Sequence, residues 1–234
     1  MATLGIIGGI APESTIQYYR LIVAAYREQL GDGAYPSILI NSIDLKRLLD
    51  LAAAERLAEL TEYLLRELER LARAGADVAL FASNTPHLVF EEVRSRAPIP
   101  LISIVEAACA AAEAQGLTRV GLLGTRFTMQ ARFYPDVFAR AGISVVAPDA
   151  DEQRWVHDRY VNELIPAIFR PETRERMLAL VARMKARDGI EGVILGGTEL
   201  PLLLRDTGGG IPLLDTTRIH AERAVAHLLA HGAG

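Results

Sequence analysis

The sequence predicts an α/β protein with two pseudo-symmetric domains, each a mostly parallel sheet flanked by helices, and a ligand cleft between the domains. Short apolar runs alternate with long amphipathic segments along the chain, which is the pattern of βα units. The apolar runs are uninterrupted, as expected for strands that are covered on both faces. A third observation is an internal repeat, which divides the chain into two related halves.

The first half contains four predicted strands and two long predicted helices. In the helix at 16–30, apolar residues recur at spacings of three and four, so that one face is apolar. The helix at 51–74 repeats this spacing and carries oppositely charged pairs on its exposed face. Gly75 follows it as a C-cap. The predicted strands are 4–7, 37–41, 78–82 and 101–104.

The second half repeats this alternation, followed by a helix at the end of the chain. Helices are predicted at 172–187 and 217–231, and the longest predicted loop, 205–211, contains three consecutive glycines. The predicted strands are 119–123, 144–147, 192–195 and 213–214.

Two pairs of motifs recur at almost the same interval. GIIGG at 5–9 resembles GLLGT at 121–125, and LFASNT at 80–85 resembles ILGGTE at 194–199. The alternative is that βα units resemble one another because small residues commonly end parallel strands. We favour a duplication, with the last helix returning to the first half. The predicted domains are residues 1–105 plus 213–234, and residues 106–212.

Composition excludes several classes of function. The chain has 234 residues, of which 50% are hydrophobic and 23% charged, with a net charge of −4. No basic stretch suggests nucleic acid, and the negative charge argues against anionic membranes. Cys109 is the single cysteine, which excludes a disulfide framework and a cysteine-based zinc site. Neither a signal peptide nor an apolar stretch long enough for a bilayer is present, so we expect a cytoplasmic protein.

Four predicted strand ends carry small polar residues: GGIAPEST, ASNTPH, LGTRFT and GGTEL. Ligands of open α/β sheets bind beyond the carboxyl ends of the strands, and free N–H groups at helix starts attract anions. Ordinary helix capping would explain one such end. Four ends in two related pairs favour a small anionic ligand, and carboxylate over phosphate, because no P-loop or dinucleotide fingerprint is present.

The segments GIIGGIAPESTIQYY, ASNTPH, GLLGTRFTM, VILGGTEL and LLDTTRIHAERAV, taken in order, resemble the aspartate/glutamate racemase family. The resemblance covers essentially the whole chain. It implies a homodimer that racemises a small acidic amino acid or related dicarboxylate without pyridoxal phosphate, metal or nucleotide. The substrate-contacting positions of the family correspond here to Ile10, Asn84, Thr85, Thr125, Thr128, Thr198 and Glu199.

The sequence departs from the family at its two catalytic cysteines. Ser83 and Gly197 hold these positions. Racemisation needs an acid and a base on opposite faces of Cα, and a thiol suits both roles because its pKa starts near ~8.5 and shifts readily. A serine hydroxyl needs an activating base, and glycine has no side chain. Cys109 lies in an Ala-rich helix and is expected to be a packed core residue.

Other residues were considered as replacements for the thiols. His87 follows Ser83 by four positions and titrates in a suitable range, and Glu199 could act as a base if desolvated. Their structural alternatives are packing for His87 and accepting backbone N–H bonds for Glu199. Asp44 and Lys46 are expected in a solvated loop. No metal is expected, because His220, His227 and His231 share a predicted helix face with no carboxylate to complete a site.

Three hypotheses of function follow. The first is a cofactor-independent isomerase with non-standard catalytic residues, in which Ser83 orients substrate or joins proton transfer. The second is a lyase or decarboxylase that works on one face only, with the space beside Gly197 left for a substituent or a water. The third is a carboxylate-binding protein without catalysis.

Overall fold

The computed structural model describes residues 2–31, 33–204 and 210–231. Residues 205–209 of the predicted loop 205–211 lie outside the described residues. The predicted α/β fold is confirmed over the described chain, which forms two parallel four-stranded sheets flanked by helices. Among these residues, no helix has the length and apolarity needed to cross a membrane.

The described chain divides into two compact units. The first unit holds the residues up to Ile104 and those from Thr217 onward, and the second holds Val105–Thr216. The predicted return to the first domain at residue 213 is wrong, because Leu213–Asp215 pairs as a strand with the second sheet. The chain therefore rejoins the first unit four residues later than we expected.

The first sheet has the strand order β2-β1-β3-β4, with every neighbouring pair parallel. Its strands are β1 (Thr3–Gly8), β2 (Ser37–Ser42), β3 (Val78–Phe81) and β4 (Leu101–Ile102). The helices between them are α1 (Pro12–Leu30), α2 (Leu45–Ala53), α3 (Leu57–Arg73), a 3₁₀ turn (Thr85–Val89) and α4 (Phe90–Arg96).

The second sheet repeats this topology with the order β6-β5-β7-β8. Its strands are β5 (Arg119–Gly124), β6 (Ser144–Val146), β7 (Gly192–Gly196) and β8 (Leu213–Asp215). The intervening segments are α5 (Ile104–Ala114), α6 (Arg126–Gln130), α7 (Phe133–Arg140), α8 (Ala150–Arg159), a π-helical turn (Tyr160–Leu164), α9 (Pro171–Asp188) and α10 (Leu200–Leu203), and α11 (Thr216–His231) ends the described chain. The shared strand order agrees with a duplication, since β1 and β3 correspond to β5 and β7.

Alternation along β1 explains why the first sheet is covered on both faces. Consecutive side chains of a strand point to opposite faces. Ile7 joins a buried cluster with side chains of α2, α3 and α4, whereas Ile6 joins another with side chains of α1 and α11. The second sheet packs Leu195 and its neighbours against α8, the π-helical turn and α9.

The predicted helix 51–74 is two helices in the structure. Helix α2 ends at Ala53 and α3 begins at Leu57, and between them Glu55 has a φ of 54°. A left-handed residue ends an α-helix, but it leaves the spacing of apolar residues on either side intact. Periodicity alone therefore did not reveal the break.

His220 joins three elements of the first unit. The Tyr18 hydroxyl of α1 donates to Nδ1 of His220 on α11 over 2.8 Å, and Nε2 donates to the Ile102 carbonyl of β4 over 2.9 Å. Both nitrogens of the neutral ring are thereby used. Burial lowers the pKa of His220 to about 4, so the imidazole is neutral at physiological pH.

This burial predicts acid sensitivity of the first unit. Because the folded-state pKa lies below the ordinary value of 6.5, the unfolded state binds more protons between those two pH values. Stability is therefore lost as the pH falls from 6.5 toward 4, by about 1 kcal/mol per pH unit for this group. In urea titrations across this range, His220→Gln should show a shallower pH dependence than the parent protein. His231→Gln, at an exposed position, is the control, and equal slopes in all three proteins would contradict the prediction.

Candidate active site

The predicted strand ends lie where the strand order of each sheet reverses. In the first sheet β1 pairs with β3, with Ile7 opposite Phe81. In the second sheet β5 pairs with β7, with Gly124 opposite Gly196. Reversal points at the carboxyl ends of parallel strands are the usual ligand sites of such sheets. Each unit therefore presents two of the four polar segments from neighbouring strands.

The turn from β1 to α1 uses its polar groups internally. The N–H of Gly9 donates to the Thr15 hydroxyl over 2.8 Å, and the Ser14 hydroxyl donates to the Ala82 carbonyl over 2.6 Å. A Cβ on Gly8 would lie 2.5 Å from Cγ2 of Thr15, which explains the glycine. Ile10 is buried in the core cluster of this unit. These residues attach the start of α1 to the end of β3.

The segment after β3 presents its side chains differently. Ser83 and Thr85 are half-buried, and Asn84 is buried. Asn84 precedes the 3₁₀ turn and accepts from the His87 N–H through its carbonyl, over 2.9 Å, but its side chain does not cap the turn. Ordinary capping therefore does not account for the amide of Asn84. Ser83, which precedes Asn84, is the residue that we expected at the position of the first family cysteine.

His87 lies in the core of the first unit. Its ring stacks on Phe90, with 4.5 Å between centroids, and meets the edge of Phe81 at 6.3 Å. Burial is the main cause that lowers its pKa to about 3. The imidazole is therefore neutral at physiological pH and a weak base. This placement is the packing role that we weighed against catalysis.

The segment after β5 carries a local cap. Thr125 precedes α6, and its hydroxyl accepts from the Thr128 N–H over 3.4 Å. The two threonine hydroxyls are 3.3 Å apart, with Thr128 buried. A Cβ on Gly124 would lie 2.9 Å from the Gly196 carbonyl oxygen, so the two strands pack too closely for a side chain there. Capping therefore accounts for the Thr125 side chain, whereas it does not account for the Asn84 side chain.

The space beside Gly197 is occupied by a residue from elsewhere in the second unit. A Cβ on Gly197 would overlap the hydroxyl oxygen of Tyr160 and would lie 2.7 Å from both Cε2 and Cζ of its ring. The Tyr160 hydroxyl donates to Oε2 of Glu199, two residues beyond Gly197. A phenol thus fills the space in which a side chain at 197 would begin. The sequence analysis overlooked Tyr160.

The electrostatics of this pair follow from burial. Tyr160, Thr198 and Glu199 are each less than a tenth exposed. Desolvation, followed by the nearby charge of Glu199, raises the pKa of Tyr160 well above its ordinary value. The phenol is therefore protonated at neutral pH and the carboxylate accepts its hydrogen bond. The Glu199 side chain does not cap α10, which it precedes.

The other residues considered for the site have structural roles. Asp44 caps α2 by accepting from the Arg47 N–H over 3.2 Å, and the exposed Lys46 pairs with Asp50 over 2.6 Å. Cys109 is buried, as expected of a core residue, and burial raises the pKa of its thiol.

The three histidines of α11 do not act as one group. His220 points into the core and bonds to Tyr18 and Ile102, whereas His227 and His231 stack on each other with 4.2 Å between centroids. Within the described residues, no group of three or more histidine, cysteine, aspartate or glutamate side chains is arranged to hold a metal.

Solved structures with the same fold extend over the whole chain. A putative Asp/Glu racemase from Yersinia pestis is 33% identical, with a TM-score of 0.91, 98% of this chain covered and 100% of that one. An aspartate racemase homologue from Pyrococcus horikoshii OT3 is 34% identical, with a TM-score of 0.86, 99% of this chain covered and 100% of that one.

Sequence comparison also gives a relative that extends over almost the whole chain. The broad specificity amino-acid racemase RacX of Bacillus subtilis (strain 168) is 25% identical over 97% of this chain and 99% of its own length. The sequence model of the family described as Asp/Glu/Hydantoin racemase matches residues 7–224. Together with the whole-chain structural relatives, this match shows that the chain belongs to the Asp/Glu/hydantoin racemase family of isomerases.

Proposed function

We propose that the chain is a cofactor-independent isomerase that inverts Cα of a small acidic amino acid or a related dicarboxylate. The observation that carries the proposal is the polar end of each sheet at its reversal point. Asn84 follows β3 in the first unit and Glu199 follows β7 in the second, and both residues are buried at these ends. Relatives named as racemases of amino acids support the same reaction class.

Recognition of the substrate is assigned to the short polar side chains and neighbouring backbone N–H groups. Hydroxyl and amide groups donate to a carboxylate at a small cost in side-chain entropy. Ser83 and Thr85, which carry such hydroxyls, are half-buried. The substrate-binding residues proposed from the family resemblance are Ile10, Asn84, Thr85, Thr125, Thr128 and Thr198.

The reaction requires proton removal from one face of Cα and proton return to the other. Ser83 takes the thiol position of the first unit, where it orients the substrate and passes a proton from solvent. A hydroxyl is a poorer acid–base group than a thiol, so we expect a slower enzyme than one with two cysteines.

A one-face lyase or decarboxylase is less favoured, because it relied on free space beside Gly197. We expected the missing side chain at Gly197 to leave room for a substituent or a water. The Tyr160 phenol occupies that room. A carboxylate-binding protein without catalysis is the second candidate, because both thiols of the family are absent. The homodimer and the cytoplasmic location stay predictions.

Incubation in D2O with D- and L-aspartate, D- and L-glutamate and a panel of other amino acids tests the proposal. Proton NMR should show loss of the Cα proton of an acidic amino acid, and circular dichroism should show inversion. Exchange with retained configuration would instead indicate one-face chemistry. Thermal stabilisation by a ligand without any exchange would contradict catalysis and support the binding protein.

Ser83→Ala should lower the racemisation rate by about 100-fold if the hydroxyl takes part in proton transfer, since positioned acid–base groups contribute about that much or more. Steady-state polarimetry on the acidic substrate measures the change. Ser95→Ala is the matched control, because Ser95 is an exposed serine of α4 in the same unit. Equal rates for the two variants would remove Ser83 from the mechanism.

A further inference from the structure

The second unit places an acid–base group at the strand end without a cysteine. Tyr160 reaches this point from the π-helical turn Tyr160–Leu164, in which the Ile165 N–H donates to the Tyr160 carbonyl over 2.9 Å. Such a turn is wider than an α-helical one and recurs at functional sites. Val156, one turn earlier in α8, and Leu164 pack in the same buried cluster as Tyr160. Tyr160 is therefore part of the packed core of the second unit.

The hydroxyl of Tyr160 lies at the strand end itself. A Cβ on Gly197 would overlap this oxygen, so the phenol stands where the side chain of residue 197 would start. Glycine is consequently the residue that this arrangement requires at 197. The Cβ of a side chain at 197 and the phenol of Tyr160 compete for the same space.

Glu199 provides the proton acceptor that the phenol needs. Its Oε2 accepts the Tyr160 hydroxyl, and its carboxylate is buried beside it. Thr198 also hydrogen-bonds to the phenol and lowers its pKa, which opposes the larger effect of burial. A protonated phenol hydrogen-bonded to a carboxylate takes up a proton by passing its own to the carboxylate. The pair thus acts as one base with its reactive atom on Tyr160.

We propose that Tyr160 is the catalytic acid–base residue of the second unit, in place of the family cysteine, with Glu199 as its proton acceptor. This inference rests on the proposed racemase function. It assigns to Gly197 a steric role, that of leaving room for the phenol.

The proton balance of the step is complete without a cofactor. The Tyr160 oxygen takes the Cα proton of one enantiomer while its own proton passes to Glu199, leaving a Cα carbanion, a neutral phenol and a protonated carboxyl. The carbanion takes a proton from water on its other face. The hydroxide formed is neutralised when Glu199 releases its proton to solvent. No electrons are transferred, and the reverse reaction retraces the same steps.

The Tyr160→Phe substitution should therefore slow Cα exchange of one enantiomer selectively. Cα exchange in D2O should fall at least 100-fold for the enantiomer that Tyr160 deprotonates, and exchange of the other should change only a few-fold, while inversion is lost in both directions. Tyr134→Phe is the matched control, because Tyr134 is a fully buried tyrosine of the same unit. Circular dichroism and thermal melting of each variant establish that it is folded.

Three outcomes of this experiment would count against the inference. If Tyr160→Phe and Tyr134→Phe exchange both enantiomers at the parental rate, Tyr160 is not catalytic although the protein is a racemase. If exchange of both enantiomers falls equally, its role is structural. If the parent protein exchanges neither enantiomer, the proposed function itself fails and the inference with it.

A thiol at 197 tests the shared space directly. Gly197→Cys alone should lower the melting temperature, because Cβ overlaps the phenol. Tyr160→Ala combined with Gly197→Cys should regain at least ten-fold in the exchange that Tyr160→Ala loses. The control is Tyr160→Ala combined with Gly197→Ala, which has the same Cβ and no thiol. Equal exchange by the two folded double variants would overturn the assignment.

Discussion

The overlap between Tyr160 and any side chain at residue 197 is the constraint on which the second unit depends. The phenol occupies the start of that side chain, so this arrangement of Tyr160 needs a glycine at 197. The same phenol needs a hydrogen-bond acceptor because it is buried, and Glu199 supplies one. One steric exclusion thus connects the glycine, the π-helical turn and the buried carboxylate.

The two units share a topology but have diverged at their strand ends. Both sheets reverse their strand order between equivalent strands, and both bring glycines close to a neighbouring backbone or threonine there. The first unit keeps its reactive candidate, Ser83, on the strand end itself. The second unit places its candidate on the π-helical turn. A duplicated scaffold therefore carries its polar groups on different elements in its two copies.

Most of the fold could be predicted from the sequence because apolar periodicity reports burial. The eight strands follow from runs such as 4–7 and 192–195, which the structure extends by one or two residues. The break at Glu55 escaped prediction because a single left-handed residue leaves the apolar spacing intact. The return at residue 213 was misplaced because a three-residue strand carries too little pattern to identify its partner sheet.

The candidate site was predictable only in part, for a related reason. Strand ends such as Ser83–Thr85 are local in sequence, and their motifs identify them. Tyr160 lies 37 residues before Gly197, and only the folded chain brings its hydroxyl to that position. From the sequence, the glycine at 197 led us to expect an open space beside it. In the structure, the Tyr160 phenol fills that space. A glycine in place of a larger residue in a family motif is therefore poor evidence that the space of the missing side chain is empty.

The rate of Cα exchange measured separately for the two enantiomers tests the Tyr160–Glu199 pair most directly. Glu199→Gln keeps an oxygen acceptor for the phenol and removes the group that takes its proton. The account predicts that this variant loses most of the Cα exchange rate for one enantiomer only. Parental exchange rates for both enantiomers in a folded Glu199→Gln protein would contradict it.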